Sequence, residues 1–485
     1  QDRLVNLINV PDINLRSNLY TTEDFLDSLQ VSKNYMADQN LYIRERIFDM
    51  WIGDWNKTNE NWEWQSHTVN DSVIYTPIVI DRNHAFTKVD GVLFKQMLKM
   101  LSLDFICNYD SLILKDTKKI NKLAFALDMA VAGRSDESVW IRQAQEIRKQ
   151  MTDSLIDSAF TYLPEGVKHD EIELIKRKLK RRRLELEAVA SQYYRLLQRT
   201  PVVAGTNQSD YFLIERQAPD RTILRIYDPE TGDCRLEQQF SGRETKELWL
   251  YGLAGNDTFE VKGNTRKDFP IYLISGEGEN QYQLNHNRKI HVYDKDYKYD
   301  YQKIKYHKIS FTPWGIYDSD KGISLGTFFT YTMYGFKRAP FTYQHRIGYN
   351  YLKGFMYAGV FPNYDGRRRL YLNASISSPR NFENFFGFGN NTAGYKEEKK
   401  NYNRVKLRTY MLNPSFEMDL RKEEVVTFFG SLDMYKAKRT DDRYIYTVYG
   451  EDHPIFRTNY FVGLGATYRI TKQPYSWLPL LETER

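Results

Sequence analysis

The last third of the chain alternates between apolar and small or polar residues. Leu370, Leu372, Ala374 and Ile376 are interleaved with Tyr371, Asn373, Ser375 and Ser377. Val462, Leu464, Ala466, Tyr468 and Ile470 are interleaved with Gly463, Gly465, Thr467 and Arg469. A period of two places one set on each face of a strand. About seven such strands are predicted between Gly322 and Lys472. Strands of roughly ten residues with this dyad, edged by aromatics, suit a β-barrel that faces lipid outside and water inside. A soluble antiparallel sandwich alternates too. Tyrosine favours the membrane: 21 of the 37 fall after residue 300, as expected of rings with one apolar and one wet end.

Upstream the period changes. Residues 1–95 read as an α/β module. Thr22–Leu29 is a capped helix, and Leu41–Trp51 is a second with Ile43, Ile47, Phe48 and Trp51 on one face. Residues 73–80 read as a short buried strand pair interrupted at Pro77. Residues 96–200 read as helical: Ser135–Met151, Thr152–Phe160, and one long basic helix from His169 to Leu197. The run Lys176–Arg183 invites a nucleic-acid or anionic-lipid partner. The nearby Glu185 and Glu187 and the lack of interleaved aromatics favour a solvated helix face.

Residues 201–305 read as a small β-solenoid. Gly252–Phe259 and Ser275–Tyr282 each place a glycine turn before an outward polar and an inward aromatic residue, like one or two stacked coils. The form is similar to the repeat that binds calcium between coils, with Asp257 as the candidate ligand. The spacing of 23 residues and Asn280 in place of a second aspartate favour a structural turn. Residues 306–485 hold the barrel strands. The pattern predicts a multidomain α+β region joined to a transmembrane antiparallel β-barrel.

Composition narrows the partners. The 485 residues carry 69 Lys+Arg against 63 Asp+Glu, a net charge of +6, which gives no reason to expect nucleic acid. No apolar run reaches the roughly 18 residues of a membrane helix, which leaves a barrel open. Cys107 and Cys234 set up neither a disulfide framework nor a metal pattern. Gln1-Asp2 opens without a signal-peptide pattern, so such a peptide is expected to be removed or to lie outside this sequence.

The densest candidate chemistry is Gly53–Trp62 followed by Ile80–Phe86. Asp54, Asn56, Asn61 and Asp81 form a phosphotransfer-like layout, with Asp81 placed to hold magnesium. The two pieces resemble the catalytic loop and metal strand of atypical kinase folds of the CotH and HipA type. Asn56, however, occupies the base position, and an amide does not accept a proton as a carboxylate does. No glycine-rich loop with a phosphate-binding lysine accompanies them. The expectation is a degenerate, structural kinase-like lobe; the alternative is a turn whose Trp51, Trp55, Trp62 and Trp64 pack a core. The residues present leave open whether the chain is an enzyme and lean against it. Magnesium at Asp81 and calcium at Asp257 are the only cofactors they suggest.

Asp320–Gly326, Tyr334–Phe341 and Asn384-Phe-Phe-Gly-Phe-Gly-Asn-Asn-Thr392 together resemble the surface-antigen barrel of the BamA/TamA superfamily. Ile80–Phe86, Thr200–Asn207 and Glu247–Phe259 are similar to a Bacteroidetes family in which a calcineurin-like phosphoesterase precedes such a barrel. The resemblance covers most of residues 45–470. It implies an outer-membrane protein that assembles, inserts or translocates envelope proteins or lipids, with outer-membrane lipids and other envelope proteins as partners. It also implies that the α+β region is periplasmic and the β-barrel partial or truncated. Phe385, Gly387, Phe388, Gly389 and Asn390 would form a barrel turn, and Arg367, Arg368 and Arg369 a strand mouth. The phosphoesterase motifs are missing, so no hydrolysis is carried over. The strands are fewer than the family's barrel needs, and the chain's end lacks a terminal aromatic strand. The missing strands are expected from a longer protein or a partner. Membrane-anchored phosphoester chemistry and a calcium-binding β-protein stand as alternatives.

Overall fold

The computed structural model describes residues 18–470 apart from 90, 101–102, 164–168, 264–265, 286–288, 294–297, 336–339, 364–366, 388–400 and 422. The chain separates into two compact units, residues 1–305 and 306–485.

The first unit begins with β1 (Leu19–Thr21), α1 (Thr22–Val31), β2 (Tyr35–Ala37), α2 (Gln39–Ile52), β3 (Trp62–Val69) and β4 (Ser72–Val79). The sheet order is β1-β3-β4-β2, with β2 parallel to β4 and the other pairs antiparallel. Thr21 accepts from the Asp24 N–H and Asp38 from the Leu41 N–H, so both helices start on a side-chain cap. Gly53 ends α2 at φ 80°. Trp64 stacks on Phe25 at 3.7 Å and both are buried. The expected interruption at Pro77 does not occur: β4 is one strand running through it. Alternate residues Val73 and Tyr75 bond toward β2, and Pro77 follows them where β2 has ended, so its missing N–H costs no ladder bond.

Helices α3 (Val92–Met100), α4 (Thr117–Ile120), α5 (Phe125–Ala132), α6 (Glu137–Gln150), α7 (Asp153–Ala159), α8 (His169–Arg183) and α9 (Leu186–Leu197) follow, and α2 packs against α5, α6, α8 and α9. The single helix expected from His169 to Leu197 is two. The break at Leu184-Glu185 is fixed by the Glu185 carboxylate, which accepts from the Ile113 N–H at 2.9 Å and the Leu114 N–H at 3.4 Å. The basic run on α8 is occupied within the protein. Arg182 is buried and donates to the carbonyls of Trp51, Asp110 and Met50, and burial lowers its pKa to about 10. Lys180 pairs with Asp157, and Arg183 with Asp153.

Nine strands complete the unit: β5 (Val202–Ala204), β6 (Tyr211–Gln217), β7 (Arg221–Tyr227), β8 (Cys234–Ser241), β9 (Leu248–Tyr251), β10 (Thr258–Gly263), β11 (Ile271–Ile274), β12 (Gln281–Leu284) and β13 (Ile290–Tyr293). The strands β5, β9, β11 and β13 stack in parallel, as do β6, β10 and β12, while β7 and β8 extend the second sheet as an antiparallel hairpin. Equivalent residues sit directly above one another. Phe212, Phe259 and Tyr282 form an aromatic column with centroid spacings of 4.6 and 5.7 Å. Three turns stack as well: Gly205–Asp210, Gly252–Asp257 and Ser275–Asn280. The first escapes a sequence reading because it carries Thr-Asn-Gln-Ser where the other two carry glycines.

The second unit contains β14 (Lys308–Asp318), β15 (Gly322–Met333), β16 (Tyr343–Asn350), β17 (Gly354–Pro362), β18 (Arg368–Ser377), β19 (Phe382–Asn384), β20 (Arg404–Arg421), β21 (Glu424–Ala437), α10 (Tyr444–Tyr449) and β22 (Asn459–Ile470). They build one nine-stranded antiparallel sheet in the order β14-β15-β16-β17-β18-β20-β21-β22, with β19 paired to β20 beyond the end of β18. The expected count starting at Gly322 omits β14, whose central Pro313 and Gly315 obscure its alternation. An edge strand tolerates proline because one side has no ladder to lose. Among the described residues β14 and β22 are the sheet's two edges, and no pairing closes it into a barrel. The class that stands is mixed α+β with a large antiparallel sheet.

Candidate functional site

The register turns the alternation into two complete faces. One row crosses eight strands as Phe311, Phe329, Ile347, Tyr357, Ala374, Leu412, Leu432 and Val462. The row beside it is Pro313, Thr327, Tyr349, Phe355, Ile376, Tyr410, Met434 and Tyr460. A third, nearer the other end, includes Phe361, Leu370, Phe416, Phe428 and Ala466. None of these rows carries a charge. Within the described part of the second unit nothing covers them: Leu464 is 89% exposed and Ile309 77% exposed. Water-soluble monomers do not expose contiguous apolar surface on this scale.

The opposite face is mixed: Ser, Thr, Asn and paired charges stand among Phe328, Phe429 and Phe461. One of its rows is Ser310, Thr330, Arg346, Ala358, Asn373 and Asn413. Arg369 on this face pairs with Glu417 at 2.8 Å and with Asp419, and the Tyr371 hydroxyl donates to Glu417 at 3.3 Å. Of the expected strand mouth, Arg367 gives its carbonyl to the Asp419 N–H at 2.7 Å, and Arg368 is exposed. At the far end of the sheet Phe385 lies against Tyr444 and Tyr449 of α10 and against Val405 and Ala437. The space between them is a cavity of about 650 Å³, walled by Phe385, Leu407, Tyr435, Ile455 and Phe461. Gly387 adopts φ 101° beside the Tyr444 hydroxyl. The candidate turn residues Phe388, Gly389 and Asn390 lie outside the described residues.

In the first unit the phosphotransfer candidates serve the fold. Asp54 is buried against Lys57 at 2.5 Å. Burial raises its pKa, with Lys57 acting in the opposite sense. Asn56 contributes its N–H to Asp54. The Asn61 amide oxygen accepts from the Thr58 N–H at 2.7 Å and hydroxyl at 3.0 Å, closing a turn. Asp81 accepts from the Asn83 N–H at 2.6 Å, and its carbonyl accepts from Lys57. Lys57 thus ties two of the four candidates together, through the Asp54 carboxylate and the Asp81 carbonyl. The described residues hold no cluster of three metal-ligating side chains.

Beside these lies a buried ionic centre that the sequence reading missed. Arg46 projects from α2 into the core and is held by Asp128, Asp49 and Asn121. Tyr42 donates to Asp128 at 2.7 Å, and Tyr193 donates to its other oxygen. Burial opposes the Arg46 charge, but Asp128 and Asp49 outweigh it and hold its pKa raised. Burial, then Asp128, raises Tyr42 well above the ordinary range. Its one sequence signal is a charged pair at i and i+3 on the apolar face of α2.

Asp257 heads the second solenoid turn. One carboxylate oxygen accepts from the Asp210 N–H at 2.9 Å, while its own N–H donates to the Asn280 oxygen at 2.9 Å. The other oxygen is buried without a hydrogen bond and faces Gly252, where a Cβ would stand 2.1 Å from it. Burial raises the Asp257 pKa to about 7. That oxygen is wedged against the Gly252 backbone, and among the described residues no cluster of three metal-ligating side chains surrounds it. Compared with protein-family models, curated proteins and solved structures, the chain matches none of them.

Proposed function

We propose that the nine-stranded sheet is part of an outer-membrane β-barrel of BamA/TamA type. In this reading, residues 1–305 form a periplasmic region, and the protein assists assembly, insertion or translocation of envelope proteins or lipids. The observation that carries it is the uncharged apolar rows continuous across eight strands, opposite a face where Ser, Thr, Asn and paired charges are interspersed with Phe328, Phe429 and Phe461. Acyl chains cover the first at no desolvation cost, and a water-filled lumen suits the second. An open sheet edge in lipid leaves backbone groups unsatisfied, at several kcal/mol each. Further strands therefore complete the cylinder in the membrane. Insertion through a weak barrel seam requires no catalytic group.

The test has two stages. The full chain should fractionate with outer membranes, resist carbonate and urea extraction, and migrate differently on gels before and after boiling. Partition into detergent-free buffer as a monodisperse species overturns the membrane assignment. Proteoliposomes containing the chain should then speed the folding of a urea-denatured outer-membrane barrel relative to empty vesicles. Equal rates overturn the assembly role.

A further inference from the structure

The apolar face ends in a column of cations. On β20 the residues in phase with Leu412 and Tyr410 continue as Arg408 and Lys406; on β21 those in phase with Leu432 and Met434 continue as Lys436, with Lys438 just past the strand's end. Arg408 stands directly opposite Lys436. Lys406 stands beside Lys438, whose N–H donates to the Lys406 carbonyl at 2.8 Å. All four side chains are exposed. Among the described residues none of the four has an ion-pair partner. The neighbouring acids do not serve them: Asp433 lies on the polar face, and Glu383 pairs with Lys321 at 2.8 Å. Arg404 extends the row, but its guanidinium is taken by the Asn401 side chain and the Asp320 carbonyl.

Like charges directly opposite on adjacent strands destabilise a sheet. Two such pairs in sequence call for a counter-charge that the described residues do not supply. Their position identifies its source. Arg408 lies two residues, roughly 7 Å, beyond Tyr410, and Lys406 roughly 13 Å beyond it. Tyr410 and Tyr460 lie in the aromatic row at this end of the sheet, and aromatic rings of a membrane barrel mark the interface. The step outward from that level is the headgroup layer. At the opposite end the outward positions carry Arg368 and Glu424, and Glu424 pairs with Arg421 at 3.3 Å. The cation column is thus confined to one leaflet, at the end of the sheet away from Lys308.

We infer that Lys406, Arg408, Lys436 and Lys438 form a site on the outer wall for the phosphates of anionic lipid headgroups. The inference rests on the membrane reading above. Each cation near a charged membrane surface strengthens attachment severalfold.

The experiment uses the intact chain reconstituted into phosphatidylcholine vesicles with and without a share of phosphatidylglycerol, at low and high salt. Anionic lipid should raise insertion at least about tenfold at low salt, with the gain lost at high salt. Substituting all four residues with glutamine should abolish that preference and leave insertion into phosphatidylcholine unchanged. Lys436→Glu, which pairs Arg408 across the strands, should reduce the preference and also raise the unfolding midpoint, which separates the effect from misfolding. Equal preference in parent and variant overturns the inference while the membrane reading stands. Failure of the parent to enter either vesicle overturns both. Loss of the preference at millimolar inorganic phosphate, with ionic strength held constant, assigns the column to free phosphate and overturns the lipid source.

Discussion

Arg46 and Asp128, 82 residues apart, meet as a two-point ion pair: Nε to Oδ1 at 2.8 Å and Nη2 to Oδ2 at 3.2 Å, with both side chains at or below 1% exposure. Asp49, Asn121, Tyr42 and Tyr193 satisfy the remaining positions around them. The pair joins α2 to α5 through the core. Its removal has an asymmetric cost, since one charge left behind is stranded away from water. Arg46→Ala or Asp128→Ala should each cost about 3–5 kcal/mol. The double substitution Arg46→Met/Asp128→Leu should cost less than either. Denaturant unfolding of the intact chain, followed by fluorescence of the buried Trp62 and Trp64, measures this. A double variant as unstable as the sum of the singles contradicts it.

Asp257 gives the solenoid a pH dependence. Its pKa rises in the fold from 3.8 to about 7, chiefly through burial; the Asp210 N–H bond opposes the rise, the Asp210 charge adds to it and Lys33 opposes it. A carboxyl raised on folding binds its proton more tightly in the folded state. The stability this confers is complete below about pH 4, and it declines as pH climbs toward and through 7. Asp210 is raised by burial as well and acts in the same sense. Asp257→Asn should flatten the decline between pH 4 and 7 and stabilise the chain at pH 8 by a few kcal/mol, on the order expected for such a shift. The equivalent position of the next coil is already Asn280, so the turn accepts the amide. Melting temperatures across pH 4–8 for parent and variant decide it.

The stacked turns set the same backbone requirement at two equivalent positions that carry different residues. Leu253 has φ 79° and Gly276, one coil later, φ 76°. The left-handed region costs a residue with a branched side chain about 1–2 kcal/mol and glycine almost nothing. Leu253→Gly should therefore raise the melting temperature. Gly276→Ala should lower it by more, because a Cβ there would lie 2.0 Å from the Leu253 carbonyl oxygen. Destabilisation of equal size by both substitutions would show that side-chain packing of Leu253 outweighs its backbone strain.

What could be read from the sequence follows from the range of each signal. The alternation of Leu370–Ser377 and Val462–Ile470 is local, and the register places those residues on the faces that a period of two requires. β14 was hidden because Pro313 and Gly315 interrupt the same pattern at an edge, where the sheet tolerates them. The first solenoid turn, Gly205–Asp210, was hidden because its partner coil lies 47 residues on, behind the β7–β8 hairpin, while the second and third turns are only 23 apart. Arg46 resembles a surface residue in sequence, since nothing near it reveals Asp128. Asp54, Asn61 and Asp81 are close to one another in sequence and are rich in side-chain oxygens, which is as typical of capped turns as of catalytic loops.

The sheet offers its sharpest contrast between two adjacent residues. Leu412 and Asn413 follow one another on β20 and face opposite sides, Leu412 in the apolar row between Ala374 and Leu432, Asn413 opposite Asn373. If acyl chains cover the first face, a lysine at Leu412 must place its ammonium in hydrocarbon, at roughly 2–4 kcal/mol near the bilayer midplane. A lysine at Asn413 enters the polar face at little cost. Urea titration of vesicle-inserted protein should thus separate Leu412→Lys from Asn413→Lys by that amount, with Asn413→Lys near the parent. In a water-soluble sandwich the apolar face would instead be packed against a second protein layer, and the loss at Leu412 would come from overpacking. It would then appear equally in detergent-free buffer, where the membrane assignment requires the chain to have no soluble folded state to measure.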